Sequence, residues 1–167
     1  MTAARVLIVD DEPMFLRTVS KMVSKYGYDV LQANDPRQAL EIINGQGPFE
    51  VVLSDVLMPE MSGTDLVREV ARFSPQTACI LMTGGIVDLA EIPESLHVLH
   101  KPFPMAELIA AVVEAVARST NLRAELRAFV EISAALEEAA QSLRKAQPPA
   151  APVPLRTARP PAGLLSQ

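Results

Sequence analysis

The chain has few residues of several types, and each shortage excludes a class of protein or a kind of site. It has one cysteine, Cys79, so an internal disulfide and a cysteine-based zinc site are excluded. Tryptophan is absent and aromatic residues make up only 4%, so a core must be built from aliphatic side chains and methionine. No apolar run approaches the roughly 20 residues that span a bilayer, and nothing near the N-terminus resembles a signal peptide. We therefore expect a soluble, cytoplasmic protein with no membrane partner.

Length and charge narrow the class further. The 167 residues suffice for one ordinary domain and an appendage. A formal net charge of −5 argues against a protein that binds nucleic acid through its whole surface. We therefore expect partners other than nucleic acid.

Residues 1–118 alternate short apolar runs with longer amphipathic stretches. The first, third and fourth runs are almost continuously apolar, as is typical of parallel strands covered on both faces. The five runs are 6–9, 29–31, 51–53, 79–82 and 98–99, and the helical stretches begin near Pro13, Asp35, Thr64, Ile86 and Met105. This alternation predicts a doubly wound α/β domain with a five-stranded parallel sheet.

Residues 119–146 contain neither glycine nor proline, and their only periodicity is helical. Apolar and small residues recur in steps of four and three, which is a heptad seam. The seam consists of Leu122, Leu126, Phe129, Ser133, Leu136, Ala140 and Leu143. The same steps run back to Leu108, so the preceding helix could continue unbroken, or Ser119-Thr120-Asn121 could cap a separate helix.

This amphipathic extension has three possible packing partners: a second copy, another protein, or the first domain. We favour a homodimer through residues 119–146, because a lone helix with no buried face would be marginal. Residues 147–167 hold six of the 14 prolines, two arginines and no acid. We expect this tail to be extended and disordered.

The residues that can carry chemistry stand where the predicted strands end. The first strand leads into Asp10 and Asp11, the third ends in Asp55, the fourth in Thr83, and the fifth leads into Lys101. Ligand-binding crevices of such sheets lie at the carboxyl ends of the strands. Three carboxylates, a hydroxyl and an ammonium should therefore converge.

Converging carboxylates repel one another, and either a cation or raised pKa values must relieve that repulsion. Oxygen ligands without histidine or cysteine suit a hard ion such as Mg²⁺. Asp55 could then act as a nucleophile toward a phosphoryl group, because a carboxylate can form an acyl phosphate. Lys101 supplies a compact cation for one phosphoryl oxygen and Thr83 a hydroxyl donor for another.

Residues 4–118 resemble the receiver domains of response regulators in bacterial two-component and phosphorelay signalling. The resemblance rests on four motifs in order, each at a predicted strand end: Val6 to Glu12, Asp55 to Gly63, Thr83-Gly84, and Lys101-Pro102-Phe103. It implies the flavodoxin-like receiver fold. It also implies a domain that assists its own Mg²⁺-dependent phosphorylation and dephosphorylation rather than an enzyme acting on other substrates.

The resemblance also implies a role for each matching residue. Asp55 is the phosphoacceptor, and Mg²⁺ is held by Asp10, Asp11, Asp55 and the backbone carbonyl of Leu57. Thr83 and Lys101 stabilise the phosphoryl group and carry the switch. The Lys101–Pro102 bond is expected to be cis. The phosphoryl donor would be a histidine kinase or a phosphotransfer protein.

Two departures from the family pattern concern the output. The interval from Thr83 to Lys101 is shorter than usual and contains Pro93, and Val98 stands where many members carry a switching aromatic residue. No stretch after residue 118 is long enough for a DNA-binding domain, so we expect signalling by protein contact. The alternatives are a pseudo-receiver that only dimerises, and a fragment of a longer response regulator or hybrid kinase.

Overall fold

Five strands and four helices occupy the part of the chain that the computed structural model describes, which is residues 3–85, 92–93 and 95–146. They are β1 (Arg5–Val9), α1 (Pro13–Ser24), β2 (Asp29–Ala33), α2 (Pro36–Gln46), β3 (Val51–Asp55), α3 (Gly63–Phe73), β4 (Ala78–Thr83), β5 (His97–His100) and α4 (Met105–Ala146). The strand order is β2-β1-β3-β4-β5, and every neighbouring pair is parallel. The predicted doubly wound α/β fold is confirmed. The helix expected near Ile86 to Glu94 lies outside the described residues.

The central strands are continuously apolar because both faces of the sheet are covered. In β1, Val6 and Ile8 pack with α1 and α4, whereas Leu7 and Val9 pack with α2 and α3. All four are fully buried. Burying an aliphatic side chain of this size contributes about 1.5–3 kcal/mol, so the two layers hold the strand ends in fixed positions.

Helix α2 begins next to Asp35, where the sequence predicts the start of a helical stretch. The Asp35 side chain accepts a hydrogen bond of 2.8 Å from the backbone N–H of Gln38, and Pro36 occupies the first helical position. Helix α1 also begins at a proline, Pro13, and the chain turns after its end through Gly27 at φ 88°. Glycine adopts this left-handed conformation without steric cost.

Helix α4 is continuous from Met105 to Ala146, which decides between the two possibilities that the sequence left open. The hydroxyls that could have capped a second helix have other partners. Ser119 Oγ donates to the carbonyl of Gln76 at 2.6 Å, and Thr120 Oγ1 donates to Val116 within the helix at 2.8 Å. With both hydroxyls engaged in this way, the helix passes through residues 119–121 without a break.

A charged cluster at the amino end of the sheet attaches α4 to β1 and β3. Arg123 forms an ion pair with Glu50, and its guanidinium also donates to the Phe49 carbonyl at 2.6 Å. Glu50 accepts in turn from the backbone N–H of Arg5 at 2.7 Å. The Arg5 guanidinium lies 4.4 Å from the centre of the Phe49 ring, a distance that allows a cation–π contact. This amino-end cluster, Arg5, Glu50 and Arg123, therefore joins one helix to two strands.

The chain forms two units, residues 1–128 and residues 129–167. The first unit extends beyond residue 118, where the sequence placed the end of the domain, because Ser119 bonds to Gln76 just before β4 and Arg123 pairs with Glu50 just before β3. The tail predicted for residues 147–167 lies outside the described residues.

Cys79 is buried in β4, and burial raises the pKa of its thiol to about 12. It packs with the apolar layer between the sheet and α2 and α3, as expected of a small hydrophobic side chain. Among the helices that the structure describes, none combines the length and the apolar character that a membrane span requires.

Candidate functional site

The carboxyl ends of four strands bring the predicted residues to one edge of the sheet. Asp10 follows β1 directly, Asp55 ends β3, Thr83 ends β4 and Lys101 follows β5. The parallel register pairs Asp55 with Met82 and Thr83 with His100, so these strand ends are level. The fold therefore brings Asp10, Asp55, Thr83 and Lys101 to one edge, but direct contacts join only Asp10, Asp55 and Lys101.

Lys101 joins the two buried acids. Its Nζ atom donates to Asp10 Oδ2 and to Asp55 Oδ1, each at 2.6 Å. Both carboxylates are nearly inaccessible, with 1% of the Asp10 residue and 6% of Asp55 exposed. The group thus holds two acids and one base in a poorly hydrated position, where charge interactions are strong.

Backbone N–H groups orient the remaining carboxylate oxygens. Asp10 Oδ1 accepts from the N–H of Glu12 at 2.9 Å, and Asp55 Oδ2 accepts from the N–H of Leu57 at 2.8 Å. Each acid is therefore fixed at both oxygens. Asp55 presents a defined carboxylate to whatever binds at this edge.

Burial is the largest influence on Asp55, and it raises the pKa of the carboxyl above its ordinary value. The hydrogen bond from Lys101 works in the opposite direction but does not cancel the effect. Burial also disfavours the charge of Lys101, but the hydrogen bonds to Asp10 and Asp55 outweigh it and raise the pKa of the ammonium. A second cation near Asp55 would therefore relieve a charge that the protein itself compensates only in part.

Gly63 lies directly against the backbone of Asp55. A Cβ atom at this position would lie 1.9 Å from the Asp55 carbonyl oxygen, a distance that no side chain can occupy. The Gly63 N–H donates to the Val56 carbonyl at 2.9 Å, and the Ser62 side chain caps α3 by accepting from Asp65 N at 3.1 Å. Glycine at position 63 thus allows the loop to pass directly against the backbone of Asp55.

The other predicted residues lie around this centre without joining it directly. Thr83 is buried, and its hydroxyl pairs with the Gly85 backbone at 3.3 and 3.4 Å. Asp11 is exposed, and the Leu57 side chain is 60% exposed. The Lys101–Pro102 peptide bond is cis, and so is Gly47–Pro48, which the sequence analysis had not considered.

Sequence reasoning missed one residue of the site. The Lys101 ammonium lies 3.9 Å from the centre of the Phe15 ring. Phe15 also meets Phe103 edge-on, with ring centres 5.9 Å apart and an interplanar angle of 77°. Phe15 lies in the amphipathic stretch that begins near Pro13, and no local pattern in the sequence links it to Lys101.

The donor set suits a hard divalent ion, although the three acids are not gathered around one point. Within the described ranges no three His, Cys, Asp or Glu side chains are grouped closely enough to hold a metal. Asp10 and Asp55 already share one cation, and the exposed Asp11 is adjacent to Asp10 in the chain. These carboxylates fit Mg²⁺, which binds through one or two of them and keeps several waters.

Comparison with known proteins shows the family to which the chain belongs. Residues 6–113 match the family model of the response regulator receiver domain. The chain belongs to the response regulator receiver domain family. The fold predicted from the resemblance and the family itself are both confirmed.

Two curated relatives illustrate the match. The receiver domain is 31% identical over 109 residues to the response regulator receiver protein CpdR of Brucella abortus, covering 63% of this chain and 90% of that protein. It is 32% identical to the transcriptional regulatory protein ZraR of Escherichia coli, covering 72% of this chain but 28% of that protein. The chain thus spans less than a third of ZraR, and the likeness to ZraR concerns only that part.

Solved structures give the same result. A response regulator receiver domain protein from Clostridium thermocellum aligns with a TM-score of 0.66 at 30% identity, covering 71% of this chain and 98% of that one. The chemotaxis response regulator CheY4 of Vibrio cholerae aligns with a TM-score of 0.61 at 30% identity, covering 68% and 99%. The receiver domain therefore accounts for almost the whole of each of these structures.

Proposed function

We propose that this receiver domain accepts a phosphoryl group on Asp55 with the help of Mg²⁺. The single observation that carries the proposal is the Lys101 ammonium held between Asp10 and Asp55 at the carboxyl end of the sheet. Buried acids that share one lysine provide a nucleophile and a cation at the same edge. The protein acts here as a phosphoacceptor rather than as a catalyst for other substrates.

The transfer needs positioning and charge neutralisation more than covalent chemistry. A carboxylate oxygen of Asp55 attacks the phosphorus atom of the donor, an acyl phosphate forms, and the bond from phosphorus to the donor breaks. Lys101 would balance charge on one phosphoryl oxygen, and the Thr83 hydroxyl would donate to another. Mg²⁺, held by Asp10, Asp11, Asp55 and the Leu57 carbonyl, would neutralise further charge on the phosphoryl group.

Receiver domains generally interact with histidine kinases or phosphotransfer proteins. We infer that a phosphohistidine of such a partner is the donor, and that its imidazole leaves when the bond to phosphorus breaks. We place this exchange in the cytoplasm. In this exchange the partner supplies the phosphoryl group and this chain receives it.

The test is intact mass after incubation with acetyl phosphate, with and without Mg²⁺. We expect the mass of one phosphoryl group to be added only with Mg²⁺, and Asp55→Asn to abolish the gain. Asp65→Asn is the matched control, because Asp65 is an exposed acid at the start of α3. Absence of any gain in the wild type, or a gain that survives Asp55→Asn, would contradict the proposal and favour the pseudo-receiver.

For the output we propose protein contact through a homodimer of residues 119–146. The seam positions Leu108, Val112, Ala115 and Ser119 are almost fully buried in the first unit. The next apolar positions are increasingly exposed, at 36% for Leu122 and 43% for Leu126. The seam therefore continues beyond the part that the first unit covers.

Within the second unit the apolar side chains are exposed. Phe129 is 68% exposed, Leu136 65% and Leu143 71%. Their spacing of seven residues places them on one stripe of the helix, and a second copy offers an identical stripe. The heptad spacing favours a second copy of this chain, rather than an unrelated protein, as the partner of this stripe. Signalling through such a dimer needs no DNA-binding domain.

Sedimentation equilibrium of the full chain tests the dimer. We expect Leu136→Lys to weaken self-association by at least about tenfold, because it places a charge in an apolar seam. Ala135→Lys is the matched control, since it adds the same charge beside the seam. A monomeric wild type, or equal effects of the two substitutions, would overturn this part of the proposal.

A further inference from the structure

Three groups surround the Lys101 ammonium. A lysine ammonium has three N–H donors, and Asp10 and Asp55 accept two of them at 2.6 Å each. The Phe15 ring lies over the same nitrogen, 3.9 Å from it to the ring centre. The lysine side chain is only 17% exposed.

The Phe15 ring is itself held in place. Phe103 meets it edge-on at 5.9 Å, and Phe103 follows Lys101 by two residues in the chain. Phe15 and Phe103 both pack against the apolar layer between the sheet and helices α1 and α4. Packing therefore fixes the Phe15 ring, and the position of the ring depends on the segment that carries Lys101.

We propose that Phe15 is a positioning residue of the receiver domain, whose ring holds the Lys101 ammonium between Asp10 and Asp55. The electron-rich face of an aromatic ring attracts a cation, and the attraction is stronger where water is excluded. An aliphatic side chain of similar size would fill the space without this attraction. Position 15 thus sets where the cation rests before a phosphoryl group arrives.

The proposal has a consequence for the reaction on Asp55, and that part rests on the proposed function. When a phosphoryl oxygen takes the place of one carboxylate partner, the ring contact can persist while the ammonium changes partners. Lys101 then does not have to move in from solvent before it contacts the phosphoryl group. Only the part of the contact that is stronger in the transition state affects the rate, so loss of the ring should slow phosphorylation by about two- to fivefold.

The test compares Phe15→Leu with Phe15→Tyr in the full chain. We expect Phe15→Leu to accelerate exchange of the Lys101 ammonium protons with water at fixed pH by at least about threefold, measured by ¹⁵N-detected NMR without any donor. Phe15→Tyr should restore the wild-type exchange rate, because it retains the ring. The phosphorylation rate with acetyl phosphate and Mg²⁺ should follow the same order.

Phe73→Leu is the control for loss of an aromatic ring elsewhere, since Phe73 is 63% exposed at the end of α3. It should leave both measurements unchanged. Equal ammonium exchange in the wild type and Phe15→Leu, or failure of Phe15→Tyr to rescue, would overturn the proposal. Because the NMR measurement uses no phosphodonor, it decides the role of Phe15 even if Asp55 never accepts a phosphoryl group.

Discussion

The two ends of the sheet carry charged clusters that are built differently. At the carboxyl end two acids, Asp10 and Asp55, share one base, Lys101. At the amino end Glu50 pairs with Arg123 and accepts from the backbone N–H of Arg5, whose guanidinium pairs with Asp29. At the amino end both arginines also donate to backbone carbonyls, and Glu50 accepts at both oxygens. The first cluster has one cation for two acids, whereas in the second each oxygen of the one shared acid has a donor within the protein.

We therefore interpret the carboxyl-end cluster as a candidate binding site and the amino-end cluster as a structural contact. β3 connects the two directly, with Glu50 just before its first residue and Asp55 at its last. At the amino end the partners are built into the fold, so the cluster fixes α4 to the strands. At the carboxyl end Asp55 retains a raised pKa despite Lys101, so a further cation is favoured there. Substitutions at the two ends should therefore behave differently.

The largest expected effect is that of Gly63→Ala. The added methyl group would overlap the Asp55 carbonyl at 1.9 Å, so the loop must move away from the site. We expect the free energy of unfolding to fall by at least about 3 kcal/mol, measured by urea denaturation. Gly45→Ala, in α2, is the control, because no described atom outside its own helix turn lies within 4 Å of the new Cβ. A tolerated Gly63→Ala would show that the loop is not held against Asp55.

Lys101→Met should come next, with a loss of about 2–3 kcal/mol at pH 7. The substitution leaves Asp10 and Asp55 facing each other without a cation, so the pKa of Asp55, which Lys101 lowers, rises further and the ionised form is destabilised. Because the folded state then holds protons more tightly than the unfolded state, stability is lost as pH rises. Denaturation at pH 5 should therefore show a smaller loss than at pH 7, and an equal loss would contradict this reasoning.

Arg123→Met tests the amino end, with an expected loss of about 1–2 kcal/mol. Glu50 keeps its hydrogen bond from Arg5 N, so the residual charge is less isolated than in the Lys101 variant. Hydrogen exchange should accelerate at residues 119–128 more than in the central strands. Arg127→Met, at an exposed position one turn later, should change neither measurement. A uniform effect across the domain would mean that Arg123 does not fix α4 locally.

The smallest effect has the opposite sign. Burial raises the pKa of Asp55 above its ordinary 3.8, so the folded state binds this proton at pH values where the unfolded state has released it. Stability is thus lost as pH rises from about 4 through the folded pKa. We expect Asp55→Asn to stabilise the apo protein at pH 7, and the gain to disappear near pH 4.

Asp65→Asn supplies the matched comparison for that experiment. The hydrogen bond from Ser62, assisted by Arg68, lowers the pKa of Asp65, so its contribution to stability is present above the ordinary value and lost as pH falls through the folded pKa. Asp65→Asn should therefore destabilise at pH 7 and lose its effect in acid. Thermal denaturation across this pH range measures both variants, and the same sign for both would refute the assignment.

The fold and the centre of the site could be predicted because they have local signatures. Continuous apolar runs marked the strands, Asp35-Pro36 marked the start of α2, and strand ends placed Asp10, Asp55 and Lys101 at one edge. These inferences need only periodicity and the geometry of parallel sheets. The same reasoning could not predict how closely Asp10 and Asp55 approach each other, or that Lys101 lies between them.

Contacts between distant segments were not predicted. Arg123 and Glu50 are separated by 73 residues, and neither stands in a motif. Phe15 looked like any other core position of α1, since its role depends on the direction in which Lys101 enters the site. The continuity of α4 depended on Ser119 finding Gln76 rather than capping a new helix. Each of these outcomes is set by tertiary packing, which a single sequence does not reveal.

The buried thiol of Cys79 makes this chain a convenient background for chemical labelling. With a pKa of about 12 and 6% exposure, it is almost entirely protonated near neutral pH and closed to reagents. Cys79 is also the only cysteine in the sequence. A cysteine introduced at an exposed position of the seam, such as Leu136→Cys, would therefore react alone. Crosslinks or spin labels placed there would report on neighbouring copies without first removing a native residue.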